Sequence, residues 1–137
     1  MIEGHGDDIY NYSDIRMNFS SNVFSHCDLS ELENYLKSRI SSIHSYPKTT
    51  SFLESIIAKK MDIEASEVMV TSGATDAIWL IAQTFRRIGK YKLFHPTFSE
   101  YEDACHAFDY IESNDDALCW LCNPNNPTGD VYDQSVI

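Results

Sequence analysis

The chain has 137 residues, 43% apolar and 23% charged, the balance of one folded domain or of a piece of a larger protein. A net charge of −11 argues against a nucleic-acid partner, because phosphate binding needs concentrated Lys and Arg. No apolar run approaches a membrane span and no export leader is expected, so the four cysteines read as reduced thiols of a cytoplasmic protein.

Residues 1–27 carry scattered aromatics and no periodic face. "DLSELENYLKSRI" (28–40) reads as a helix, with Asp28 as N-cap, Glu31 as its box partner, and Leu29, Leu32, Leu36 and Ile40 on one side. "SSIHSYPKTT" (41–50) reads as a loop, and "SFLESIIAKKMDI" (51–63) as a second amphipathic helix. Val68–Val70 is a short β-prone run that leads through Thr71-Ser72-Gly73 into a helix with Ala77, Ile78, Ile81, Ala82 and Phe85 on one face. Tyr91–Phe94 repeats the theme: Pro96 ends the strand, and Ser99 can cap a helix carrying Tyr101, Ala104, Cys105 and Phe108. Tyr110-Ile111 is a further short strand, and Ala117–Cys122 the last and most buried one.

Strands alternating with helices predict an α/β fold with a mostly parallel sheet. Ligands of such sheets sit beyond the carboxyl ends of the strands. Three unusual stretches fall there: "TSGATD", "HPTFSEY" and "NPNNPTG". The first places a glycine before a helix start, where free N–H groups and the helix dipole suit a phosphate, or simply form a turn. In the second, a rigid turn can hold Phe98 over a flat ligand, or Phe98 can close the core. The third packs three asparagines and two prolines into five positions, and an Asn126 amide fixed before Pro127 can donate to a ligand oxygen. Together they suit a phosphorylated heteroaromatic ligand. Cys119 and Cys122 have C-x-x-C spacing but no second pair for zinc, and they lie in a strand pattern, so they read as inert core cysteines.

These stretches resemble the fold-type I pyridoxal-phosphate enzymes, aminotransferase class I/II, and "NPNNPTG" is close to a signature of that family. Within it the resemblance runs toward histidinol-phosphate aminotransferases and, more so, threonine-phosphate decarboxylases. It covers this chain from about His5 onward, but well under half of a family member. It implies the N-terminal half of the large domain, a three-layer α/β/α unit left incomplete, with an arm and first helix over 1–47 and the large domain from 48 to 137. By the same resemblance Gly73, Ala74 and Thr75 would hold the phosphate of pyridoxal 5'-phosphate. Phe98 would stack on its ring, and Asn126 would bond the 3'-oxygen. Tyr46 would reach the cofactor phosphate of a neighbouring subunit, which implies a homodimer. Asn22 and His5 would lie near the substrate, an amino acid that can itself be phosphorylated.

The implied reaction is transamination or decarboxylation. The family's Schiff-base Lys lies well downstream of its N-P-T-G motif, so no catalytic residue is expected among these 137, and the chain alone is expected to be inactive. A non-catalytic fragment or phosphate-binding module is the alternative. Half a sheet would also leave an unpaired edge and an uncovered apolar face, which predicts aggregation of the isolated chain.

Overall fold

The computed structural model describes residues 12–19, 21, 27–47 and 49–135. The chain divides into two compact units, Met1–Lys48 and Thr49–Ile137.

In the first unit, α1 spans Ser30–Ser38 and a 3-10 helix follows over Ile40–His44, so part of the expected loop is helical. The N-cap is Leu29 rather than Asp28. Asp28 instead closes a tight turn, its Oδ1 accepting from the Ser30 N–H at 3.0 Å, and no capping box forms. That bond holds the Asp28 carboxyl below the usual carboxylate range. The stripe of Leu29, Leu32, Leu36 and Ile40 is helical as expected, yet all four side chains are exposed and α1 buries nothing.

The second unit contains α2 (Ser51–Met61), α3 (Ala74–Thr84), β1 (Lys90–Leu93), α4 (Glu100–Ala107), β2 (Ile111–Glu112) and β3 (Leu118–Trp120). Helix α2 ends two residues before the expected boundary, because Asp62 turns left-handed at φ 57°. The three strands form one parallel sheet in the order β2-β1-β3. Val68–Val70 is not a strand, which corrects the expectation. A strand needs a ladder partner; here the Val70 N–H is taken by the Glu54 side chain of α2, at 3.3 Å.

The register pairs Tyr91 with Leu118 and Leu93 with Trp120, so these side chains share one face. Against it pack Ile78 and Ala82 of α3 and Ala104 and Cys105 of α4, with Tyr110 completing the core. Ala82, Ala104 and Cys105 are fully enclosed. Small residues there let two helices and a sheet approach closely. The polar ends of the core aromatics are satisfied: Tyr110 Oη donates to the Ala82 carbonyl, and Trp120 Nε1 meets Cys105 Sγ. Burial pushes the Cys105 thiol up, keeping it neutral.

The opposite face is open. Ile111 and Cys119 lie there exposed, beside Lys90 and half-buried Lys92. Two expectations therefore fail: Cys119 is no core cysteine, and of the three residues of β3 only Trp120 is buried. Alternation puts every second residue of a strand on the uncovered face.

Candidate functional site

Strand β1 leads through α4 to β2 on one side, whereas β3 lies on the other side of β1. The sheet thus changes direction between β1 and β3. The crevice beyond the carboxyl ends of two such strands is where α/β sheets bind ligands. The loops that emerge there are 94–99 and 121–130, the two that carry Phe98 and Asn126.

These loops are joined. Asn125 is buried, 9% exposed, and its Nδ2 donates to the Pro96 carbonyl and to Thr128 Oγ1, both at 2.9 Å. Its backbone is held on both sides: the Asn125 N–H donates to the Asp130 carbonyl, and its own carbonyl accepts from Gly129, each at 2.7 Å. Gly129 closes that turn at φ 78°, a conformation costly for a side-chain-bearing residue. Asn123 secures the flank, its Oδ1 accepting from the Tyr132 N–H. The peptides His95-Pro96, Asn123-Pro124 and Asn126-Pro127 are cis.

Asn126 is exposed, and its backbone N–H donates to Cys122 Sγ at 3.4 Å. Phe98 is half-buried and stands edge-on to Tyr101 at 6.0 Å. Tyr101 in turn stacks on Trp120 at 5.1 Å. An aromatic row thus runs from the core to the loop, with Phe98 at its outer end. Burial, then a hydrogen bond with Cys122, pushes the Tyr101 phenol up to about 12, so it is a neutral hydroxyl at neutral pH.

Ala74 and Thr75 form the first turn of α3, and Gly73 caps it at φ 90°. The N–H groups of this turn have no intrahelical partner, and no side chain caps them. The hydrogen bonds of the preceding turn stay local: Thr71 Oγ1 donates to the Gly73 carbonyl, and the Ser72 N–H to Asp76 Oδ2. A Cβ built on Gly73 would meet nothing within 4 Å, so the space beside the helix start is open. Tyr46 belongs to the first unit and is 97% exposed. His5 and Asn22 lie outside the described residues. Asn125 escaped the sequence reading, which singled out its neighbour; its signal was the doubled Asn, one of which the turn aims inward.

Pyridoxal phosphate offers a phosphate, a flat ring and a ring oxygen. The donors here are of the matching kinds: open helix-start N–H groups, a half-exposed ring and an exposed amide. The residues present fit the cofactor. No group of three or more His, Cys, Asp or Glu able to hold a metal occurs among the described residues, and none of their helices is long and apolar enough to cross a membrane.

No protein-family model matches the chain. It is 29% identical to histidinol-phosphate aminotransferase of Ruminiclostridium cellulolyticum, over 67% of this chain and 33% of that protein. It is 31% identical to histidinol-phosphate aminotransferase 2 of Oceanobacillus iheyensis, over 65% and 30%. The crystal structure of L-threonine-O-3-phosphate decarboxylase from Porphyromonas gingivalis matches with a TM-score of 0.73 and 31% identity, over 84% of this chain and 39% of that one. Both kinds of relative are fold-type I, pyridoxal-phosphate-dependent enzymes, and the chain is similar to one part of them in sequence and fold. It spans about a third of the length of the curated relatives it matches.

Proposed function

We infer that this chain forms the cofactor-holding part of a pyridoxal-phosphate enzyme that transaminates an amino acid or decarboxylates a phosphorylated one. Carrying this reading is the junction of the Phe98 and Asn126 loops, at the point where the sheet changes direction. Residues 1–47 act as arm and first helix, and 48–137 as the first part of the large domain.

The first-turn N–H groups at Gly73, Ala74 and Thr75 bind the phosphate, with the dipole of α3 favouring its charge. Phe98 covers one face of the ring and excludes water from it. The Asn126 amide donates to the ring oxygen and fixes the ring's rotation. When bound, the cofactor supplies an electron sink for a bond breaking at the amino acid's α-carbon. By the family resemblance alone, Asn22 and His5 are assigned to the substrate. The exposure of Tyr46 supports its reaching toward a second copy's cofactor phosphate, in a homodimer.

Residues 130–137, which follow the N-P-T-G motif here, contain no Lys. Purified residues 1–137 are therefore expected to show no transamination or decarboxylation. Pyridoxal phosphate should shift their spectrum without being trapped at a single Lys by borohydride. Turnover at enzyme-like rates would overturn the reading of this segment as non-catalytic alone. A full natural chain that binds no pyridoxal phosphate would overturn the cofactor assignment.

A further inference from the structure

We propose that Asn125 is a positioning residue: a clamp that sets the Phe98 loop and the Asn126 loop at one fixed spacing, so that ring and amide meet the same cofactor. The proposal rests on the cofactor reading above. Neither Phe98 nor Asn126 is shown bonding the other's loop. Among the described residues, the hydrogen bond between loops 94–99 and 121–130 comes from Asn125 Nδ2 to the Pro96 carbonyl, two residues before Phe98. The same side chain is tied to Thr128 and the backbone to Asp130 and Gly129, so one residue spans the turn around Asn126 and the neighbouring loop.

The exposure of Pro96 makes this arrangement selective. Asn125 Nδ2 ties the Pro96 carbonyl to the buried turn, and a carbonyl released from that donor turns to water, so the Pro96 loop is no longer held at that spacing. Phe98 would move with it. Asn126 would not, because its N–H is held separately by Cys122. The expected consequence is a cofactor that can satisfy its ring contact or its oxygen contact, but not both. Displacements of about an ångström between positioned groups are costly in binding sites of this kind.

The test uses the full natural chain, titrated with pyridoxal phosphate, reading both affinity and the cofactor's absorption band. Asn125→Ala, which removes both Nδ2 hydrogen bonds, should weaken binding about tenfold, the scale of one or two part-buried hydrogen bonds, and move the band toward that of the free cofactor. Asn125→His should restore most of both, because His Nδ1–H stands the same number of bonds from Cα as Nδ2. A merely structural role would lower the melting temperature without moving the band.

Unchanged affinity and band in Asn125→Ala, with wild type binding, would overturn the clamp alone. So would an Asn125→His no better than the alanine. A wild-type chain that binds no cofactor would overturn the cofactor reading and the clamp with it. Should Asn125→Ala precipitate, Asn125→Asp carries the test: its oxygen stands where Nδ2 did at nearly constant shape, but an ionised carboxylate only accepts and cannot bond the Pro96 carbonyl. A loss in the same direction supports the clamp, and none overturns it.

Discussion

Helices α1 and α3 are both amphipathic, and their fates differ. Ile78 and Ala82 of α3 are buried against Tyr91, Leu93 and the inner side of α4, whereas Leu32 and Leu36 of α1 stand more than half exposed. Periodicity says which face of a helix is apolar. It does not say what covers that face. In α3 the cover is a sheet reached within a few residues of chain; in α1 no residue of the helix is buried.

The sharpest way to break this contrast is in the covered core. Trp120→Ala removes the ring that stacks on Tyr101 and donates to Cys105. It should cost about 3–5 kcal/mol of stability, read by urea unfolding. A loss under about 1 kcal/mol would mean that the core around β3 is not packed as described.

High pH should act next. Burial, then the nearby Glu102 and Glu112, pushes the Tyr91 phenol up to about 12, and burial does the same for Tyr101. Each ordinarily titrates near 10, so the folded state keeps a proton that the unfolded chain releases. The stabilisation from both phenols is complete below about pH 10 and disappears as pH rises toward 12. Circular dichroism should therefore show unfolding of the second unit within that window. Tyr91→Phe should move the transition to higher pH. A fold that survives intact with both phenols ionised would contradict their burial.

The smallest effect belongs to α1. Leu36→Ser in the 137-residue chain should change stability by no more than about 0.5 kcal/mol, since the side chain is already solvated. A loss of about 2 kcal/mol or more would show that something covers the stripe in solution.

The α/β alternation was legible because β1 and α4 carry their own patterns. Their periods change within a few residues, at Pro96 and Ser99. Val68–Val70 was misread because β-propensity is local while a ladder needs a neighbour, and Glu54 took the Val70 N–H instead. Ser99 was expected to cap α4 and does stand at the N-cap, yet its backbone is already helical and its side chain bonds nothing there. Phe98 and Asn126 stood out in the sequence because rigid turns surround them. Asn125 did not, since two adjacent asparagines look alike until the turn sends one inward.

One feature of the backbone bears on the chain's acidity. The residues other than glycine with positive φ among those described are Asp14, Asp62, Asp109 and Asp116. Aspartate tolerates this left-handed geometry better than most residues. At these four corners the carboxylates therefore serve the path of the chain as well as its solubility. Asparagine would take the same bends uncharged, so four negative charges could be withdrawn from the total of −11 while every corner kept its shape. Acidity and folding are thus separable here, and the isoelectric point can be tuned without redrawing the backbone.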